Sequence, residues 1–321
     1  MSQISVIIPV KNRAALLRKT LDNLLAQTLK PDEIIVIDDH STDEIKLVIF
    51  DYITDCIFLN NKGTGPGAAR NLGLSVATGK YIQFFDSDDL MTTRKLEKQF
   101  LALESTGLDM AYGPYVQAQE TEEGWIQKDV IMQASGFDNS LDLKDWILRG
   151  WNSITQACMF RKEFVDKLSP WNEKLITHED YLYLFQASLL NPGTIHVPEE
   201  AVIYRQHGKQ STDMATLSAG RAVDKMEVLT EMRSQLSFVE TDFFTKGLFK
   251  GRLAQNYSFL KNNGIDPRRY SGFIETGDFL WEFIYRIYNK QMRNKTGTSW
   301  EPMHGVSTSA TEFQKIIECL K

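Results

Sequence analysis

The sequence predicts an α/β protein: an open, mostly parallel sheet flanked by helices, followed by a mostly helical C-terminal extension. Three observations carry this expectation. From Ile4 to Tyr112, apolar runs alternate with segments of helical periodicity, the strand, helix, strand order that builds parallel sheets. The first runs are continuous rather than alternating, as strands covered on both faces require. Beyond Thr216 the patterning is helical, with little strand signal.

The elements follow in order. Ile4 to Val10 and Glu33 to Asp38 are β-branched strand runs. Between them Leu17, Leu21, Leu24 and Leu25 recur at helical spacing, with Asn12 as the expected N-cap. Further strands are expected at Cys56 to Leu59, Tyr81 to Phe85 and Met110 to Tyr112, and helices near Asp43 to Tyr52, Gly67 to Ala77 and Thr93 to Leu103. From Tyr115, short strand-like pieces flank the acidic turn Glu120 to Gly124. A helix near Leu141 to Arg149, a strand near Thr155 to Phe160 and a helix from Glu179 to Leu190 come next. The polar stretch Asn294 to Ser309 reads as a loop. The organisation is thus a domain over residues 1–215 and a helical extension over 216–321.

Composition narrows the class of function. Apolar residues at 42% and charged residues at 24% exclude wholesale disorder. A net charge of -6 with no dominant Lys/Arg block argues against nucleic acid as the main partner. Cys56, Cys158 and Cys319 form no CxxC pair, which suits a reduced protein better than a disulfide scaffold or a zinc site. The Ile4 to Val10 run is too short for a signal peptide or a membrane span, and no longer run follows, so a cytoplasmic protein is expected.

The strongest chemical signal is Phe84-Phe85-Asp86-Ser87-Asp88-Asp89. An apolar strand delivers three carboxylates into one loop, and their mutual repulsion calls for a cation. Oxygen-only ligands suit Mg²⁺ or Mn²⁺, which commonly bridges carboxylates and phosphates. A solvated acidic turn is the plain alternative. It weakens because a second acidic loop, Asp38 to Asp43, ends an earlier strand on the same edge of the sheet. Between the two loops, Gly63, Gly65 and Ala68 fit the G-x-G-x-x-G/A spacing, with Asp86 downstream. An NAD-dependent enzyme on a Rossmann-like fold is therefore a rival. Against it, the glycines follow the third strand rather than the first, and an NAD ribose does not require three carboxylates. Glu179-Asp180 at a helix start offers a general base, or a plain N-terminal acidic pair favoured by the macrodipole in its ionised form.

Together these residues resemble family 2 of the glycosyltransferases, inverting enzymes of GT-A fold. The resemblance is carried by Ser5 to Asn12, Ile35 to Asp43, Gly65 to Gly73, Gly79 to Asp89 and His178 to Tyr181, in the family's order, over about Ile4 to His207. It implies transfer of a sugar from a nucleotide diphosphate donor, with UDP the expected nucleotide, and a divalent metal, Mn²⁺ or Mg²⁺. It implies Pro9, Val10 and Asn12 on the donor side and Asp39 on the base. Arg70 and Asp86 would lie near the donor, Asp88 at ribose and metal, and Asp89 on the metal. His207 would lie near diphosphate or metal, Asp180 would be the catalytic base, and Glu179 and Trp171 would face the acceptor. The acceptor would be a carbohydrate or lipid-linked molecule in surface polysaccharide or glycolipid synthesis, with peripheral contact at the inner membrane face.

Three places depart from the family pattern: Lys11 replaces a common aromatic, His40 a common glycine, and Ser169-Pro170 the usual small glycines. A sugar-nucleotide pyrophosphorylase would carry its glycine loop after the first strand, where this chain has Pro9 to Asn12. An inactive nucleotide-sugar binding module would have no use for Asp180. Trp125, Trp146, Trp151 and Trp171 are expected in packing ahead of sugar stacking. The stretch Trp281 to Arg293 mixes aromatics with Arg286, Lys290 and Arg293. It is either a half-buried helix or a membrane-touching one.

Overall fold

A computed structural model describes residues 3–122, 124–127, 141–150, 153–207, 218–236, 240–296, 315 and 317–320. Strands are β1 (Ile4–Val10), β2 (Glu33–Asp38), β3 (Ile57–Asn60), β4 (Tyr81–Phe84), β5 (Leu90–Met91), β6 (Met110–Tyr112), β7 (Tyr115–Thr121), β8 (Gly124–Gln127), β9 (Cys158–Arg161), β10 (Thr194–His196) and β11 (Val202–Arg205). Helices are α1 (Ala14–Leu25), α2 (Ile45–Asp51), α3 (Pro66–Val76), α4 (Lys95–Thr106), α5 (Leu143–Arg149), α6 (Lys162–Val165), α7 (Glu179–Leu189), α8 (Ser218–Gln235), α9 (Phe243–Asn262) and α10 (Asp278–Thr296).

Seven strands form the main sheet in the order β10-β6-β9-β4-β1-β2-β3. β1 pairs in parallel with both β2 and β4, and β2 with β3. Only β9 runs antiparallel, between β4 and β6. A second sheet, β5-β11-β7-β8, stands beside it. Because β1, β2 and β4 are parallel, their carboxyl ends share one edge, and both acidic loops open there.

The continuous apolar runs are explained by burial on both faces. Ile7, Ile35, Ile37, Ile82 and Phe84 point into one core; Val6, Ile8, Val36, Tyr81 and Phe85 point into the other. The second core is closed by α1, α2 and α4 through Leu17, Leu21, Val48 and Leu96. The first is closed by α3, α5 and α7, and also by the extension, through Met226, Leu229, Phe249 and Leu253. The extension therefore covers the same apolar face on which α7 packs. α3 lies close to the sheet at Gly73, where a Cβ would stand 2.4 Å from Ile7 and 2.9 Å from Ile37.

Three expectations are corrected. Asn12 does not cap α1: it has φ 53, in the left-handed region, and Arg13 stands at the N-cap with its side chain making no capping bond to the helix. The free N–H of Ala14 is instead taken by Asp43 Oδ2 at 2.8 Å, while Asn12 Oδ1 accepts from the Thr42 amide at 2.7 Å. Thr155 to Ala157 form a 3-10 turn, so that strand starts only at Cys158. Asn294 to Thr296 end α10 rather than opening a loop; the rest of that stretch, Trp151 and the 215/216 boundary lie outside the described residues.

Candidate active site

The strand β4 is clamped by buried Phe84 and Phe85, so the chain leaves the core directly into Asp86-Ser87-Asp88-Asp89. Thr20 of α1 holds this loop from beneath, its one hydroxyl proton shared between the carbonyls of Ser87 at 3.0 Å and Asp89 at 2.9 Å. The three carboxylates each present one oxygen, all within 4.8 Å of one another. Each sits differently. Asp88 accepts from Arg13 at 2.7 Å and His207 Nε2 at 2.9 Å. Burial opposes its ionisation, but these two partners hold it below the usual carboxylate range. Asp89 is fully buried, bonded by the Arg205 amide at 3.0 Å and by Gln156 Nε2 at 3.3 Å. Burial, then Asp88 and Asp86, push it well above that range. Asp86 is raised by burial against the pull of Arg70. A crowd of oxygen donors with too little positive charge is what a hard divalent cation fits.

Gln156 is the second support of this cluster, reaching Asp86 at 2.5 Å as well as Asp89. Its own carbonyl is fixed by Gln83 Nε2 at 3.0 Å, and Lys95 Nζ donates to Gln83 Oε1. Lys95 is itself buried, which lowers its pKa to about 7.

The second acidic loop folds the glycine segment. Asp39 is 4% exposed and accepts from Asn61 Nδ2 at 2.7 Å and from the Gly65 amide at 3.1 Å to each oxygen. Gly65 has φ 91, a conformation that suits only glycine well, and it starts α3. His40 has φ 60 and its Nε2 lies 2.8 Å from the Gly63 carbonyl. That is why glycine suits this position and why histidine, bonded locally, replaces it. Val10 is 2% exposed with its side chain in the core, so only its backbone can face a ligand; Pro9 is partly exposed.

Across the edge, α7 begins at Glu179 after His178, whose φ is 63. Arg70 of α3 is 3% exposed and bridges the two sides: Nη2 to Asp86 at 2.8 Å, Nη1 to Glu179 at 2.9 Å. Its guanidinium lies 4.5 Å over the Trp171 ring, and Trp171 stacks on Tyr183 at 4.0 Å and 5°. Two expectations are corrected here. Trp171 is 2% exposed and does not face an acceptor, because it is the floor under Arg70. Glu179 is turned inward to the same arginine. Asp180 is half-buried, its Oδ1 bonded to the Tyr181 amide at 2.7 Å. The helix start does not keep it strongly ionised: burial, then the Glu179 charge, push its pKa up to about 7.

The structure thus brings together Asp86, Asp88, Asp89 and His207, and joins them through Arg70 to Glu179 beside Asp180. Asn12, bound to Thr42, and Asp39, bound to the glycine loop, form a neighbouring group. Sequence reasoning missed Arg13, Gln156 and the Arg205 amide as partners of the carboxylates. Arg13 was signalled by its place directly after β1, whose carboxyl end meets that of β4; nothing local marks Gln156.

The match to a family confirms the class that this fold and site define. The chain belongs to glycosyl transferase family 2, whose model matches residues 5–169. An uncharacterized glycosyltransferase of Rickettsia felis is 40% identical over 121 residues, 37% of this chain and 20% of that protein. The chain thus spans about a fifth of the length of the first curated relatives it matches. Another, RP339 of Rickettsia prowazekii, is 26% identical over 98% of this chain and 96% of its own. Among solved structures, S. aureus TarS residues 1–349 in complex with UDP-GlcNAc aligns with TM-score 0.60 and 17% identity, over 91% of this chain and 81% of that one. That likeness shows the GT-A fold. With the family shown, the NAD-dependent alternative falls; its glycine spacing serves helix packing and the Asp39 turn.

Proposed function

We propose that this chain is a metal-dependent inverting transferase, moving a sugar from a UDP-sugar to a hydroxyl of a carbohydrate or lipid-linked acceptor in surface polysaccharide or glycolipid synthesis. The observation that carries this reading is the Arg70 bridge, which fastens the three-carboxylate loop to the segment bearing Asp180. A binding module needs the first of these but gains nothing from a tethered carboxylate titrating near neutrality. UDP as the nucleotide is supported by the TarS neighbour that holds UDP-GlcNAc.

Asp88 and Asp89 would hold Mn²⁺ or Mg²⁺, with His207 beside them; when bound, the cation offsets charge that develops on a departing diphosphate. The chain's own part is orientation and proton transfer. Arg70, Pro9, Asn12 and Asp39 shape the donor side. Asp180 takes the proton of the acceptor hydroxyl as that oxygen bonds to the anomeric carbon, while the bond to the diphosphate oxygen breaks on the opposite face. A carboxylate with a pKa of about 7 is well matched to this work at neutral pH. We place residues 1–215 as the transfer domain, with 216–321 as its extension, acting in the cytoplasm at the inner membrane face.

The test is a calorimetric titration of UDP in EDTA and then in Mn²⁺. Tighter binding with Mn²⁺ is expected. Equal affinity in both would remove the metal assignment, and no binding in either would remove the donor reading.

A further inference from the structure

Among the described residues no helix is long and apolar enough to cross a membrane, yet α10 presents an outward face that water does not favour. Its orientation is set by α9. A Cβ on Gly247 would lie 2.3 Å from the Trp281 ring, and one on Gly251 2.3 Å from the Trp281 carbonyl; only glycines admit so close a crossing. That packing buries Tyr285 and both acids of the helix, Asp278 and Glu282. Among the described side chains from Asp278 to Lys290, the exposed ones are Phe279, Leu280, Phe283, Arg286, Ile287 and Lys290. They are apolar or cationic, and none is acidic, in a chain of net charge -6. Arg286 pairs with Glu282 yet leaves its side chain 58% exposed. The face continues onto α9, where Phe243 is 79% exposed and packs on Trp281 at 5.4 Å, and Phe244 stands 6.0 Å from Tyr288; the exposed acid beside them, Asp242, is paired with Arg149 at 3.1 Å.

A contiguous exposed apolar patch of this kind marks a binding surface. Charge selects the occupant. A second copy docking by the same face would bring Arg286 and Lys290 toward their own equivalents, an unfavourable pairing of like charges. A bilayer with anionic headgroups offers both what the aromatics bury into and what the cations attract, the arrangement of helices that lie in a membrane interface. We infer that the outward face of α10, with Phe243 and Phe244, docks the protein onto an anionic lipid surface, lying on the bilayer rather than spanning it. The inference deepens the inner-membrane placement proposed above and does not depend on the transfer reaction.

Sedimentation of the full chain with vesicles tests it without donor or acceptor. Vesicles containing phosphatidylglycerol should carry the protein down, and phosphatidylcholine alone should do so much less. Added salt should weaken the association. Replacing Arg286 and Lys290 by serine should lower partitioning roughly tenfold or more, and Phe279→Ser with Phe283→Ser should abolish it; the phenylalanine variants should keep the wild-type melting temperature because both side chains are exposed. Wild-type protein remaining in the supernatant with phosphatidylglycerol vesicles would overturn the inference. So would variants that sediment like wild type, or a dimer in light scattering that Phe283→Ser converts to monomer, which would assign the face to a second copy.

Discussion

Arg70 and Glu179 are 109 residues apart in the chain, and their side chains meet at 2.9 Å in a buried ion pair. The same guanidinium holds Asp86, so one residue of α3 sets the distance between the acidic loop after β4 and the start of α7. Removing it leaves two carboxylates uncompensated. Arg70→Met should destabilise the fold by about 3–5 kcal/mol, read in urea denaturation. Arg70→Lys should recover only part, since an ammonium cannot span both partners as the planar fork does. A wild-type midpoint for Arg70→Met would show the bridge to be dispensable.

Asp180→Asn keeps shape but cannot accept a proton. Transfer should fall on the order of a hundredfold or more, while UDP affinity stays near wild type. Near-normal turnover with an identified acceptor would assign the base elsewhere.

The acid limb of kcat/KM should lie near pH 7, because the base works ionised and burial with Glu179 raises Asp180 to about 7. Activity rises with pH through that value. The stability linked to this group runs the opposite way: the folded pKa is raised, so its contribution is full below the ordinary Asp value and is lost as pH rises to about 7. Glu179→Gln removes a neighbouring charge and should shift the acid limb to lower pH. A limb that stays put or moves upward contradicts this origin of the shift.

Mn²⁺ should raise the melting temperature of the wild-type chain by mass action, by an amount corresponding to about 2.7 kcal/mol at a hundred times the dissociation constant. Asp89→Asn should lose most of that increment. An equal Mn²⁺ response in both proteins would place the ion at another site.

The extension reaches the base-bearing segment itself. Arg252 of α9 donates to Tyr181 Oη at 2.6 Å, which in turn donates to the Ile147 carbonyl at 2.6 Å, and Asp224 of α8 holds the Thr177 amide at 3.1 Å and its hydroxyl at 2.9 Å. Arg252→Met should therefore reduce transfer while leaving UDP affinity unchanged, in paired activity and calorimetric measurements. A parallel loss of UDP binding would mean that α9 supports the donor side too.

Much of this was legible in the chain because it is local or periodic. Apolar runs around Ile7 and Ile35 specified strands buried on both faces, and their parallel order put Asp39 and Asp86 to Asp89 on one edge. The motif Glu179-Asp180 marked the start of α7. What the sequence could not determine depends on which side chains meet across long separations. Local spacing made Asn12 a cap, but its backbone turns left-handed and Asp43 takes the role. The family resemblance put Trp171 on the acceptor side, whereas stacking on Tyr183 makes it the floor under Arg70. A helix start favoured an ionised Asp180, and only tertiary burial beside Glu179 reversed that balance. Strand and helix patterns are set by neighbours along the chain; desolvation, ion-pair choice and the titration of a carboxylate are set by neighbours in space.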